Sequence, residues 1–260
     1  MNIYITHIDT ACVLIEINGF KILTDPTLDH AGGWYYHGFG SVSRKTDKPA
    51  LETSDLKEVD LVLLSHHQHK DNFDVKGREF TKTARLIITI RTAARELPNA
   101  VGLENWRSHA VEDHRVPGLR ITATPAQHRP WWVPEVFSGK VIGFIIEYDG
   151  QLNGVIYISG DTVYFDGIRQ IADKYLIDVA VFHVGSVQFR YLTGFGHYTM
   201  DGKEMLKAVA MIKPNTIIPV HFRGWSHFKE KEQTLRSVIA ADDEALRKSI
   251  FLAPGKRTLI

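Results

Sequence analysis

Thirteen histidines distinguish this 260-residue chain, and histidine is a costly choice unless it titrates, binds a metal or forms hydrogen bonds. Three of them and one acid fall within a single short segment: His66, His67, His69 and Asp71. Imidazoles one or three residues apart, with an acid two residues further on, suit a tight loop around one cation. Such a cluster is rarely structural, so it predicts a metal site.

Three further candidate ligands each follow a short apolar run typical of a strand. They are His128 after residues 121–124, Asp161 after residues 156–159, and His221 after residues 217–220. Alone, either histidine would be an ordinary loop histidine, and Asp161 would be a helix cap. Loops that leave strand ends can converge on one point, so the joint placement favours a shared site. Three histidines and two acids are enough for two adjacent metals with one bridging carboxylate.

The elements that would position these residues are strands followed by alternating strands and helices. Asn18-Gly19 separates residues 11–17 from residues 20–24 and predicts a hairpin, because both turn residues need positive φ. The pattern predicts strands and helices elsewhere, and it predicts one long loop: strands at 2–7, 60–65, 85–90, 119–124, 141–148, 155–159, 179–183, 216–220 and 251–252, helices near 91–97, 166–175, 200–212 and 229–247, and a loop at 26–58.

This order predicts an α/β (α+β) protein in which two β-sheets are covered by helices. The chain has no linker rich in proline, glycine or serine between its halves. We therefore expect residues 1–260 to form one domain with two similar halves, approximately 1–135 and 136–260.

Composition narrows the class of protein. The formal net charge is +1, with no clustered basic face, so no nucleic-acid partner is expected. One cysteine, Cys12, excludes a disulfide within the chain and fits a reducing, cytoplasmic location. No apolar run is long enough to span a bilayer, and no stable membrane association is expected. A small-molecule substrate is the expected partner, and the loop with the aromatic segment Trp34–Tyr36 would either close over the site or form a homo-oligomer contact.

In their order and spacing, these motifs resemble those of the metallo-β-lactamase fold superfamily. Within that superfamily, the motifs are similar to those of the branch that contains ascorbate-6-phosphate lactonase and N-acyl phosphatidylethanolamine phospholipase D. The segments that carry it run almost the length of the chain: Leu23-Thr24-Asp25-Pro26, Leu63-Leu64-Ser65-His66 with the histidine cluster, Thr124-Pro125-Ala126-Gln127-His128, Ile158-Ser159-Gly160-Asp161-Thr162 and Ile218-Pro219-Val220-His221-Phe222. The resemblance implies an αββα sandwich of two mixed β-sheets flanked by helices, with the metal site at one edge.

The resemblance also implies ligands for one or two divalent ions, zinc or manganese. His69 and His128 would hold the first ion with an earlier histidine, which is either His66 or His67; His66 is favoured because it directly follows the strand-ending Ser65, as the family's first histidine does. Asp71 and His221 would hold the second ion, and Asp161 would bridge the two. Two further positions carry over: His197, which matches a histidine near the substrate, and Asn72, which replaces the last histidine of the family motif and whose amide oxygen suits manganese better than zinc.

The predicted activity is hydrolysis by a metal-bound hydroxide of a small-molecule ester, lactone or phosphodiester. Asp71 or Asp161 would orient the water and accept its proton, and His197 or Arg223 would stabilise negative charge. Aromatic and basic residues beside the ligands would bind substrate: Trp131, Trp132, Arg223, Trp225 and His227.

Two alternatives remain. One is a degenerate metal-binding or scaffold member of the fold, for which Asn72 is the main support. The other is a diiron redox protein, which would need a flavin-carrying domain or partner. The other histidines are predicted to be surface or packing residues: His7, His30, His37, His109, His114 and His183.

Overall fold

The computed structural model describes residues 2–56 and 58–260. Within them the strands run in chain order: β1 (Ile3–Asp9), β2 (Cys12–Ile17), β3 (Phe20–Thr24), β4 (Trp34–Gly38), β5 (Ser41–Arg44), β6 (Leu61–Leu64), β7 (Ile87–Ile90), β8 (Ala100–Leu103), β9 (Ser108–Ala110), β10 (Arg120–Pro125), β11 (Ile142–Glu147), β12 (Val155–Ile158), β13 (Ile177–His183), β14 (Thr216–Val220) and β15 (Thr258–Leu259). The helices are α1 (Val75–Thr81), α2 (Arg91–Ala94), α3 (Gly167–Lys174), α4 (Arg190–Thr193), α5 (Gly202–Ile212), α6 (Glu232–Ala240) and α7 (Asp243–Lys248).

Two mixed sheets form the centre of the fold. The first has the order β15-β1-β2-β3-β6-β7-β8, with antiparallel pairs up to β3 and parallel pairs from β3 to β8. The second has the order β14-β13-β12-β11-β10-β9, with antiparallel pairs from β9 to β12 and parallel pairs from β12 to β14. Each sheet therefore joins an antiparallel part to a parallel part, and the predicted fold class is confirmed.

The main hydrophobic cluster takes its side chains from both sheets. Ile15 and Leu63 of the first sheet lie in the same buried cluster as Phe144, Ile158 and Val181 of the second. A second cluster joins strands of the second sheet to α3, α5, α6 and α7. A third lies at the first sheet and includes residues on either side of α1. Because apolar faces are buried between sheets and beneath helices, the layers form the αββα arrangement.

The structure differs from the predicted elements in several places, of which three follow. The segment predicted as a long loop contains the hairpin β4–β5, and Lys45 at its end is fully buried and paired with Asp9. The predicted helix at 229–247 is two helices, because the side chain of Asp242 caps the N-terminus of α7 and a separate helix begins there. Residues 251–252 lie outside the strands, and the final strand is β15.

The two sheets meet at the strand ends that precede the candidate ligands. The backbone N–H of Ile142 donates to the carbonyl of Ser65 over 3.2 Å. Gly160 has φ +60°, and a Cβ there would lie 2.5 Å from the Ile142 carbonyl oxygen. Only glycine fits so close an approach, so Gly160 allows Asp161 to turn into the space between the sheets. Among the described residues, no helix has the length and apolar character needed to cross a bilayer.

Candidate metal centre

Two groups of possible ligands lie side by side at this edge. In each, one ligand atom per residue lies within 4.8 Å of those of the other two. We call them the histidine cluster (His66, His69 and His128) and the acidic cluster (Asp71, Asp161 and His221). All six were candidate ligands from the sequence, and they come from four different strand ends.

The segment between β6 and α1 supplies three of these six side chains from one tight turn. The Phe73 N–H donates to the His69 carbonyl over 3.0 Å, and Asp74 caps α1 through the Gly77 N–H. The cap fixes where the helix starts and therefore where the preceding turn ends. As a result, His69 faces one cluster and Asp71 faces the other.

The histidines are oriented by hydrogen bonds on the side away from the clusters. The Nδ1–H groups of His128 and His221 donate to the carbonyls of Tyr198 (3.0 Å) and Val184 (3.2 Å). Because a carbonyl can only accept, Nδ1 carries a proton in each ring, and Nε2 is the nitrogen that can bind a cation when the ring is neutral. His66 is oriented in the same way, because its Nδ1 forms a hydrogen bond of 2.9 Å with Ser65 Oγ. Such outer contacts are what metal-binding histidines normally have.

Asp161 lies between the two clusters and faces both. Its Oδ2 is 3.9 Å from His66 Nε2, and its Oδ1 is 3.6 Å from His221 Nε2. His69 Nδ1 and His128 Nε2 lie 3.0 Å apart, close to the spacing of about 3.3 Å expected for two nitrogens on one tetrahedral zinc. This geometry suits one cation in each cluster with Asp161 as the bridge.

Several of these buried polar atoms have no hydrogen-bond partner. Within the described chain they include His66 Nε2, Asp71 Oδ1, Asn72 Oδ1, Asp161 Oδ2 and His221 Nε2. A buried polar atom without a partner costs about 1–3 kcal/mol. A group of such atoms in one place therefore needs an explanation. Nitrogen and carboxylate oxygen donors around a common centre are what a divalent cation requires. The residues present therefore fit the metal that the fold implies.

The electrostatics differ between the two clusters. Burial lowers the pKa of His66 to about 3 and also lowers the pKa values of His69 and His128, so these rings are neutral and able to bind metal. In the acidic cluster burial opposes charge, but the carboxylates of Asp161 and Asp71 outweigh it and raise the pKa of His221 to about 9. Positive charge is therefore stabilised between these two acids.

Three more histidines surround the acids. His227 Nε2 lies 2.8 Å from Asp71 Oδ2, and His37 Nδ1 lies 3.8 Å from Asp71 Oδ1. His183 Nδ1 lies 3.0 Å from Asp161 Oδ1. Sequence reasoning assigned His37 and His183 to surface or packing positions, whereas the structure places both beside acids of the centre. His183 ends a strand parallel to those preceding Asp161 and His221, which was the available signal.

His67 and Asn72, also predicted as ligands, occupy different environments. His67 turns away from both clusters, and its Nε2 lies 3.4 Å from Glu96 Oε1. Asn72 is buried at the centre, and its Nδ2 donates to Asp161 Oδ1 over 3.3 Å. Of the two histidines that the sequence left open, the structure brings His66 into the cluster.

The other predicted site residues lie apart from the ligand clusters. His197 Nε2 is 2.9 Å from Glu204 Oε2, and Arg223 Nε donates to Asp47 over 3.1 Å. Trp225 is fully buried, and its Nε1–H donates to Thr10 Oγ1, so it presents no surface to a substrate. Trp131 and Trp132 are largely exposed and pack edge to face at 5.7 Å.

A narrow cavity of about 20 Å³ opens directly onto both clusters. It is lined at its base by His69, Asp71 and His128, and its walls are mainly apolar: Phe39, Phe137, Val187, Phe189, Leu192 and Tyr198. Neither lysine nor arginine is among the described residues that line it. A wider cleft of about 810 Å³ lies alongside and touches the ligand clusters only at His128.

Comparison with known proteins agrees with this geometry. The family model of the beta-lactamase superfamily domain matches residues 4–221. A UPF0173 metal-dependent hydrolase of Pyrococcus furiosus is 27% identical over 258 residues, covering 97% of each chain. One from Pyrococcus abyssi is 29% identical over 78% of this chain and 82% of its own.

Solved structures show the same fold. A possible metal-dependent hydrolase from Veillonella parvula has a TM-score of 0.83 at 20% identity, over 100% of both chains. An isothiocyanate hydrolase from Delia radicum gut bacteria has a TM-score of 0.80 at 21% identity, over 98% of both chains. With the family match across most of the chain and the two ligand clusters, the chain belongs to the metallo-β-lactamase superfamily and is a metal-dependent hydrolase of that superfamily.

Proposed function

We propose that this centre hydrolyses a small, uncharged ester or lactone, with zinc in the histidine cluster and a second divalent cation, zinc or manganese, in the acidic cluster. The observation that carries the proposal is the apolar cavity over both clusters. In a space whose described lining has no lysine or arginine, only the bound cations would compensate the negative charge of a phosphodiester, whereas an uncharged carbonyl substrate needs no such compensation. The missing cationic side chains therefore favour a carbonyl substrate.

The chain's own residues have distinct roles in this proposal. When bound, a divalent cation polarises the scissile carbonyl and lowers the pKa of a water molecule towards about 7. Although burial opposes charge, the neighbouring His221 and His227 hold the pKa of Asp71 well below its usual range. Asp71 is therefore ionised, lines the cavity and orients the attacking water by accepting its hydrogen bond.

Tyr198 is proposed to stabilise the negative charge that develops on the carbonyl oxygen. It lines the cavity beside His128, with ring centroids 5.6 Å apart. Burial raises the pKa of its phenol, so the hydroxyl remains protonated at neutral pH and can donate. This role replaces the one that the sequence suggested for His197 or Arg223, neither of which lines the cavity.

The cavity walls limit the size of the substrate. Phe39, in the turn between β4 and β5, packs against Phe137 from a separate loop, with ring centroids 4.7 Å apart. A volume of about 20 Å³ holds little more than one water molecule, so this aromatic pair must separate before a substrate enters. Short acyl groups and small lactone rings need the least separation.

An organic isothiocyanate is a second candidate substrate. It is also small and uncharged and has an electrophilic carbon, so it suits the same apolar cavity. One structural neighbour is named an isothiocyanate hydrolase, although its 21% identity shows only a shared fold. The substrate test should therefore include this class.

A substrate panel on zinc-loaded protein tests the proposal. We expect turnover of p-nitrophenyl acetate, a small lactone or a small organic isothiocyanate, and little turnover of bis-p-nitrophenyl phosphate or a β-lactam. Phe137→Ala should raise kcat/KM for longer acyl esters relative to acetate, whereas Phe195→Ala should not, because Phe195 is 91% exposed and does not line the cavity.

Two results would contradict the proposal. Preferred cleavage of the phosphodiester would show that the apolar cavity does not select the substrate. No turnover of any class by fully loaded protein would favour the scaffold alternative.

A further inference from the structure

His183 is a fully buried histidine whose surroundings are not those of a packing residue. It ends β13, and its ring stacks on His221 with centroids 5.6 Å apart and an angle of 15° between the planes. Its Nδ1 lies 3.0 Å from Asp161 Oδ1. Burial lowers the pKa of His183, and an apolar side chain would pack at this position without that desolvation cost.

The contact with Asp161 has a defined direction. Ionised carboxylates only accept hydrogen bonds, so the proton of the neutral His183 ring lies on Nδ1 and is donated to Asp161 Oδ1. Asn72 Nδ2 donates to the same oxygen over 3.3 Å. Two donors on one oxygen fix the plane of the carboxylate and leave Asp161 Oδ2 turned towards the histidine cluster.

The opposite side of the His183 ring faces Asp25, the residue that follows β3. His183 Nε2 is 3.9 Å from Asp25 Oδ2, and both atoms lack hydrogen-bond partners. Asp25 Oδ1 accepts from the backbone N–H of Ser65 (2.7 Å) and from Ser65 Oγ (2.9 Å). Since the single hydroxyl proton of Ser65 is given to Asp25, its oxygen accepts from His66 Nδ1.

Asp25 is therefore connected to both clusters. It contacts the histidine cluster through Ser65 and His66, and the acidic cluster through His183 and Asp161. The acidic cluster has more need of such support. Its own nitrogen comes from His221 alone, because the chain has Asn72 where the family motif has a further histidine. With one imidazole fewer, retention of a cation depends more on how Asp161 is aimed.

We propose that His183 is a positioning residue that sets the affinity of the acidic cluster for its cation by holding Asp161 in the bridging orientation. The inference rests on the two-cation form of the proposed function. Loss of an outer hydrogen-bond partner typically lowers metal affinity by about 10–100-fold. We therefore expect His183→Leu to weaken the second cation by about that factor and to leave the first within about twofold.

The test compares His183→Leu, His183→Asn and the unaltered protein. Zinc is removed and then titrated back against a chromophoric chelator, which gives both dissociation constants without any substrate. The amide nitrogen of asparagine can take the place of Nδ1 and donate to Asp161. His183→Asn should therefore restore the second dissociation constant to within about threefold of the unaltered protein.

Tyr157→Phe is the matched control for altering a buried polar group. Tyr157 is fully buried in β12, in the hydrophobic cluster beneath α3, α5, α6 and α7, and its hydroxyl has no hydrogen-bond partner. We expect it to shift the melting temperature of the metal-free protein without changing either dissociation constant. This separates effects on the fold from effects on the centre.

Two results would overturn the proposal. Either His183→Leu keeps the second cation as tightly as the unaltered protein, or His183→Asn binds it as weakly as His183→Leu. The second result would mean that the imidazole itself is required. If the leucine variant does not fold, the asparagine variant decides alone, because a loss of tenfold or more there contradicts a role limited to donation. Failure of the substrate panel would leave this test readable, since it measures only cations.

Discussion

His66 and His67 are adjacent in the chain, yet only one faces the histidine cluster, and this offers a sharp test of the ligand assignment. His66 is fully buried, and its Nε2 has no partner. His67 Nε2 is 3.4 Å from Glu96, whose side chain is 60% exposed. We predict that His66→Ala strongly weakens the first cation and that His67→Ala does not.

The magnitude follows from the number of ligands. Zinc bound at a four-ligand site is worth about 10–16 kcal/mol, or about 2.5–4 kcal/mol for each ligand. His66→Ala should therefore raise the dissociation constant of the first cation by about 10²–10³-fold. The His67–Glu96 pair is partly exposed, with 16% and 60% of the two side chains accessible, and such a pair contributes about 0–1 kcal/mol. His67→Ala should therefore change the dissociation constant of the first cation by less than about fivefold.

The assay is zinc competition on both variants, with circular dichroism to show that each is folded. The reasoning would be refuted if His67→Ala lost the cation as fully as His66→Ala. It would also be refuted if His66→Ala bound zinc normally.

Further predictions concern protons, the bridging acid and the predicted substrate residues. Because the pKa of His221 is about 9 in the cation-free protein, a cation entering the acidic cluster at pH 7 must displace one proton. Affinity for that cation should rise about tenfold per pH unit up to about pH 9, and calorimetry in two buffers should detect the proton; no release would exclude His221 as a ligand. Asp161→Ala should lower kcat/KM by about 10³-fold or more while the circular dichroism spectrum is kept; near-normal activity would rule out a bridging role. Arg223→Ala should keep steady-state activity within about twofold, since Arg223 contacts Asp47 outside the cavity; a loss of a hundredfold would place it in substrate binding.

The positions of the clustered ligands were accessible from sequence because each candidate follows a recognisable strand. His128, Asp161 and His221 directly continue apolar runs, and strand ends are rigid and adjacent in a sheet. The mixed sheets were accessible for the same reason, since hairpin and strand–helix patterns differ in period.

Other contacts of the centre depend on distant segments and were not accessible in this way. His37 lies 3.8 Å from Asp71 on a hairpin within the predicted loop, and the buried Lys45–Asp9 pair lies at the end of that hairpin. Trp225 is adjacent to the ligands in sequence but packs against that same hairpin, with its ring 4.9 Å from Tyr35. Proximity to the ligands in the chain therefore could not show whether Trp225 lines the cavity or packs in the core.

The choice between His66 and His67 as the first ligand also required the three-dimensional structure. Both are histidines beside the same strand end, and motif spacing supports either. Burial against Ser65 on one side and exposure towards Glu96 on the other distinguish them.

Elemental analysis of protein purified without chelator tests the central claim most directly. The six clustered side chains should hold at least about one equivalent of zinc or another divalent transition metal, and zinc titration should bring this to about two. Less than about a tenth of an equivalent as purified, with no uptake on reconstitution, would contradict a metal centre at this site.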